Sequence, residues 1–114
     1  MPLKEPGMTQ SHTALTMEAL EARRAEILKL AASYGASNLR VVGSVARGKA
    51  DEASDLDLLV DIETDARGFE YFGVLEDLRR ALAELLGSDV DIIDRAALQP
   101  GRFQTEVLRD AVPL

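Results

Sequence analysis

Leu39-Arg40-Val41-Val42-Gly43-Ser44-Val45-Ala46-Arg47-Gly48, followed after a polar link by Ser54-Asp55-Leu56-Asp57-Leu58-Leu59-Val60, is the stretch on which the reading of this chain turns. A mostly apolar run enters a Gly-Ser pair, and a second apolar run leaves with two carboxylates one residue apart. Short apolar runs bounded by turn residues read as strands. Residues i and i+2 of a strand project from one face, so Asp55 and Asp57 are expected side by side. Two ionised carboxylates held that close repel each other unless a cation lies between them. A hard divalent ion suits them, Mg²⁺ above all, because it takes one or two protein carboxylates and fills its shell with substrate phosphates. The Gly-Ser turn lies where those phosphates would have to be. Gly43, without a Cβ, lets a ligand approach the backbone closely. Ser44 brings a hydroxyl and an amide to the start of a short helix predicted over 44–49, a natural place for an anion. The plainer alternative is that Ser44 only caps that helix.

Outward from this stretch, the pattern predicts alternating helices and strands. Thr16 is a plausible cap, Glu18 and Glu21 favour the early turns of a helix, and Leu20, Ile27, Leu28, Ala31 and Ala32 recur near helical spacing. One amphipathic helix over 17–34, ended by Gly35, is the expectation. Strands follow at 38–42 and 55–62. Residues 69–86 then read as a long helix with Phe72, Leu75, Leu78, Leu82, Leu85 and Leu86 inward and Gly87 at its end. A third strand is expected at 90–93, a helical turn within 94–99, and a last short helix over 103–110 after Pro100-Gly101. Phe69, Phe72 and Phe103 read as core, Tyr34 and Tyr71 as packing or helix-rim residues, and Arg23-Arg24 as a solvated helix face. Residues 1–13, with Pro2, Pro6 and Gly7, read as a flexible tail and 14–114 as a single domain. His12 in that tail is expected to be inert. The fold class is α/β (α+β): a small mixed sheet flanked by helices.

Composition narrows the function classes. The chain has 114 residues, 46% of them apolar, and fits one small domain. Thirteen basic against twenty acidic residues give a net charge of −7. Nucleic-acid affinity is largely neutralisation of phosphates by Lys and Arg, so direct nucleic-acid binding is disfavoured and a basic protein partner is favoured. Glu18, Glu21 and Glu26 are candidates for meeting such a partner. There is no cysteine, hence no disulfide and no thiolate metal site. No apolar run is long enough to span a bilayer, and the N-terminus lacks the apolar core of a signal peptide. A cytoplasmic location is the simplest expectation.

The Gly-Ser pair, ten intervening residues and Asp-x-Asp together resemble the nucleotidyltransferases of the DNA polymerase β superfamily. The longer string Gly43 to Gly48, with Ser54 to Val60, is closer still to the minimal nucleotidyltransferases. Several of these are MntA-type antitoxins encoded with a toxin of the HEPN type. The resemblance covers roughly residues 14–110. It implies a polymerase β-like fold and transfer of a nucleotide with loss of pyrophosphate. It also implies that Asp55 and Asp57 hold two Mg²⁺ ions that grip ATP. In the family a third carboxylate comes from a later strand. Asp91 is the candidate, with Val90 and Ile92 turned to the core; Asp89 shares its parity but lies at the strand edge, and Asp94 has the opposite parity. Asp55, Asp57 and Asp91 are thus the expected catalytic and metal-binding residues, and Gly43, Ser44 and Arg47 the expected nucleotide-binding ones. Arg47 fits the family's Ala-Arg-Gly string, whereas Lys49 has no equally firm counterpart.

By resemblance, the chain would transfer AMP from ATP to a protein hydroxyl, a tyrosine of a cognate HEPN RNase toxin, and so act as an antitoxin. A domain this small leaves the partner to supply part of the pocket. The alternative is a non-catalytic antitoxin that neutralises its toxin by complex formation. Transfer to a small molecule, as in the aminoglycoside-modifying relatives, ranks last because those enzymes usually carry an additional substrate domain. The oligomeric state, homo- or hetero-oligomeric, is left open by the sequence.

Overall fold

In a computed structural model, residues 15–51 and 54–114 are described. The expected tail at 1–13, with His12, lies outside them, as does the side chain of Phe103. The elements run α1 (Met17–Ala22), α2 (Arg24–Ala32), β1 (Ala36–Val42), α3 (Gly43–Ala46), β2 (Leu56–Ile62), α4 (Phe69–Leu86), β3 (Val90–Asp94), a 3₁₀ turn (Arg95–Ala97), α5 (Arg102–Asp110) and β4 (Val112–Pro113). The four strands form one mixed sheet in the order β3-β2-β1-β4. β1 is antiparallel to both β2 and β4, and β2 is parallel to β3.

Strand alternation sorts the sheet into two faces. Val41, Leu58, Val60 and Val90 point to one face and meet Leu20, Ile27 and Ala31 of α1 and α2 and Leu78 and Leu82 of α4 in the main core. Removing a fully buried leucine such as Leu58 or Leu82 from a core of this kind costs about 2–5 kcal/mol. Register pairing places Val42, Asp57 and Asp91 across from one another on the opposite face, and Arg40, Leu59 and Ile93 likewise. Val42 and Leu59 are buried there although they lie outside the main core. Helix α5 returns along this second face and lies against β1 and α3.

The expected single helix over 17–34 is two helices. Thr16 caps α1 as expected, its Oγ1 accepting from the Ala19 amide at 3.1 Å. The break falls at Arg23, whose backbone leaves helical geometry (φ −114°, ψ 19°). Its guanidinium is not merely solvated. Nη1 donates to the Leu85 carbonyl at 2.7 Å, in the last turn of α4, and Nε donates to Glu26 Oε1 at 3.2 Å. That carbonyl is one of the four that a helix end leaves without an intrahelical donor, so Arg23 ties two helices together by satisfying it.

Helix α4 has the bounds expected, and Gly87 ends it in the left-handed conformation (φ 66°, ψ 31°). Its N-terminal aromatics do not follow the expectation: Phe69 is 96% and Phe72 65% exposed, so neither belongs to the core. Strand β4 was not expected. It closes the β1 edge, where the Leu114 amide donates to the Leu39 carbonyl at 3.0 Å and the Leu114 side chain is buried.

Candidate active site

The site is assembled at the point where β1 hands the chain to β2. Val42 ends β1 and Gly43 takes a positive φ of 75°, a conformation that costs an L-residue about 1–2 kcal/mol. This turn points the chain into α3, which is four residues long and shorter than the helix expected over 44–49. The Arg47 amide closes its single full turn on the Gly43 carbonyl at 3.2 Å. Ser44 is half-buried in that turn, and its carbonyl accepts from the Lys49 amide at 2.9 Å. Gly48, again at positive φ (71°), turns the chain back toward β2.

Asp57 sits above Gly43. A Cβ built on Gly43 would stand 2.5 Å from Asp57 Oδ2, so glycine is what leaves room for the carboxylate. Asp57 pairs in register with Asp91 on the parallel neighbour, and the two project from the same face. Asp55 lies just before β2 rather than within it and is exposed, but its charge reaches Asp57. The Asp57 pKa is raised, first by partial burial, then by the negative charges of Asp91 and Asp55, against the opposing pull of Arg47. One carboxylate thus carries the repulsion of two others, which is the condition that a bound cation relieves.

The three acids are not equivalent. Asp57 is half-buried and central, whereas Asp55 and Asp91 are exposed on either side of it. Among the described residues, no group of three or more His, Cys, Asp or Glu side chains is gathered tightly enough to hold a metal by itself. The glycine gap and the crowded negative charge at Asp57 fit a divalent cation bound jointly with a triphosphate.

Of the two rival acids, Asp89 is exposed at the edge of β3, and only Asp94 has its carboxylate engaged elsewhere. Asp89 precedes β3, where its carbonyl accepts from the Leu56 amide at 3.0 Å. Asp94 Oδ1 caps the 3₁₀ turn by accepting from the Ala96 amide at 3.0 Å, and its Oδ2 accepts from the Tyr71 hydroxyl. Lys49 is exposed beyond the turn.

Sequence reasoning missed the wall opposite Gly43. A cleft of about 480 Å³ is lined by Val42, Gly43, Arg47, Asp57 and Ile93 on the sheet side and by Glu106, Val107, Arg109 and Asp110 of α5. Arg47 Nη1 stands 3.8 Å from Asp110 Oδ2 across it. Helix α5 is strongly amphipathic, and that was the available signal; what its apolar side faces depends on the return path after Gly101, which local pattern does not reveal.

Residues 24–112 match the family described as "Nucleotidyltransferase domain". The protein adenylyltransferase MntA of Thermococcus cleftensis is 35% identical over 99 residues, spanning 86% of this chain and 95% of its own. A solved structure assigned to the minimal nucleotidyltransferases superposes with a TM-score of 0.72 at 46% identity, over 88% of this chain and 97% of that one. A toxin–antitoxin complex with AMP-PNP shares the fold, with a TM-score of 0.63 at 22% identity, over 78% of this chain and 69% of its counterpart. With a mixed four-stranded sheet, a Gly-Ser turn and an Asp-x-Asp sequence entering β2, the chain belongs to the nucleotidyltransferase domain family of the polymerase β-like superfamily.

Proposed function

We propose that this chain is a protein adenylyltransferase that moves AMP from ATP to a hydroxyl of a partner toxin, a tyrosine of a HEPN-type RNase, and so acts as its antitoxin. The observation that carries this reading is the placement of Asp57 over the Cβ-free Gly43 with Asp91 beside it in register. The relationship to a protein adenylyltransferase named MntA supports the reaction. In this scheme Asp55, Asp57 and Asp91 would hold Mg²⁺, and the ion would supply charge neutralisation for the displacement. Gly43 and Ser44 offer backbone amides and a hydroxyl to the phosphates. Arg47 turns from Asp110 to the β- and γ-phosphates.

The acceptor oxygen attacks the α-phosphorus in line. The bond from the α-phosphorus to the bridging oxygen of the β-phosphate breaks, and pyrophosphate leaves. Asp91, at the exposed side of the pair, draws off the proton of the acceptor hydroxyl. Phosphoryl chemistry of this type depends mainly on positioning and charge neutralisation, so a domain of this size can perform it. AMP adds bulk and negative charge to the acceptor, which would keep an RNA phosphate backbone away from a modified RNase.

Intact-mass measurement of the partner after incubation with ATP and Mg²⁺ tests the reading. A gain of one or more AMP units is expected. No gain, with growth rescue intact in an Asp57→Asn strain at equal abundance, would instead establish neutralisation by complex formation.

A further inference from the structure

The chain holds five aromatic residues, three Phe and two Tyr, and two of the phenylalanines stand in water. Burying a phenylalanine gains about 1.5–3 kcal/mol, so leaving two outside is a cost to the isolated fold. Phe72 is not loosely placed. The Phe72 ring meets Tyr71 edge-on with centroids 5.5 Å apart, and the Tyr71 hydroxyl donates to Asp94 at the end of β3. Gly68 and Gly73 flank the pair, and a Cβ on either would meet nothing within 4 Å. The phenylalanines therefore rise from a bare stretch of backbone, with Phe72 braced through Tyr71.

Charge indicates what this surface receives. Glu63, Asp65, Glu70 and Asp77 are exposed before, between and after the aromatics. Arg79 and Arg80 of the same helix are turned to Glu76, at 2.5 and 3.4 Å. Arg67 is exposed among these acids, so the patch is apolar at its centre and, with four acids against that one arginine, predominantly acidic at its rim, on a chain of net charge −7. A second copy would bring the same acidic rim against itself, and a nucleic acid would bring phosphates.

We infer that Phe69 and Phe72 form a docking surface for a protein partner offering an aliphatic pocket edged by lysine or arginine. Exposed apolar patches with polar rims commonly mark protein interfaces, and aromatic side chains supply much of their energy. The surface is also remote from the cleft. Strand β2 carries the chain from Asp57 to Ile62 before α4 begins, a separation of roughly 17 Å at the usual strand rise. Docking and nucleotide transfer can therefore be disabled separately. The inference rests on the function proposed above only for the identity of the partner used as probe.

The test takes the full-length chain and the purified product of the adjoining reading frame. Affinity is measured by calorimetry for wild type, for the double variant Phe69→Ser/Phe72→Ser, and for Glu70→Lys/Asp77→Lys. Both double variants should keep the wild-type circular dichroism spectrum and ATP·Mg²⁺ affinity, and each should bind the partner at least tenfold more weakly, the loss in the lysine variant shrinking as salt is raised. Unchanged partner affinity in the serine variant overturns the inference, as does failure of wild type to bind this partner. Concentration-dependent dimerisation of wild type that the serine variant abolishes would assign the patch to a second copy, and cross-links from it to residues 1–14 would assign it to this chain's own N-terminus; either overturns the inference. A partner that binds through the patch but gains no AMP would leave the inference standing and overturn the proposed function.

Discussion

The carboxylate of Asp57 occupies the space that a side chain at residue 43 would need: Oδ2 lies 2.5 Å from where a Gly43 Cβ would sit. Gly48 provides an internal comparison, because it too has positive φ but no atom within 4 Å of its would-be Cβ. Gly43→Ala and Gly48→Ala should each lose about 1–2 kcal/mol of stability from the left-handed backbone. Only Gly43→Ala should also displace Asp57 and lower transfer by two orders of magnitude or more. Urea titrations alongside AMP-transfer rates check the pair, and equal activity in both variants would remove Gly43 from the site.

Asp57→Asn should separate activity from stability. The raised Asp57 pKa means that holding this group ionised opposes folding, so its contribution is favourable at low pH and is lost as pH rises through the folded pKa. At neutral pH, without metal, the asparagine variant should melt at a higher temperature than wild type. Its transfer rate should fall by about 10² or more, as when a charge-stabilising group is removed from a transition state. Thermal melts at pH 7 in EDTA, with rates measured in Mg²⁺, test both halves. Excess Mg²⁺ should raise the melting temperature of wild type and leave the variant nearly unmoved.

Across the cleft, Arg47 and Asp110 stand in a contact that nucleotide phosphates would compete for. Both side chains are partly solvated, so the pair itself adds little stability. Arg47→Gln should raise the KM for ATP about tenfold or more, the scale of one lost charge-assisted hydrogen bond. Asp110→Asn should lower that KM by releasing the guanidinium. Steady-state kinetics at two salt concentrations decide the matter, and a KM unchanged in both variants would assign Arg47 to the surface.

Tyr71 gives the fold a dependence on alkaline pH. Burial, then the hydrogen bond to Asp94 and the charge of that carboxylate, raise its pKa from 10.0 to about 12. A folded pKa above the unfolded one makes the stabilisation complete below about pH 10 and progressively lost as pH approaches 12. Denaturation at stepped pH should show wild type losing stability through that window more steeply than Tyr71→Phe, and parallel slopes would refute the bond.

Much of this architecture was legible in the sequence, and the failures have specific causes. Leucines at helical spacing, with Gly87 behind them, placed α4 because local pattern and tertiary burial agree along most of it. Its first turn misled because apolar character was read as inward direction, whereas Phe69 and Phe72 lie on the side of the helix turned from Leu78 and Leu82. The break at Arg23 was invisible because its main anchor, the Leu85 carbonyl, is 62 residues away. Asp55 fell outside β2 by a single position, the ordinary uncertainty of a strand end. Strand β4, two residues including a proline, carries almost no local signal; its pairing with β1 is what defines it. Strand parity turned Asp91 away from the core face of Val90 and Ile92, because alternation survives small errors in boundaries; its pairing with Asp57 is set by the β2–β3 register, which parity does not fix.

The shared rung of Asp57 and Asp91 ties the candidate site to the register of β3. A slip of β3 by one residue would aim acids into the oily interior and expose Val90 and Ile92 to water. Misthreaded molecules would therefore be both inert and sticky, and so fit for proteolytic clearance.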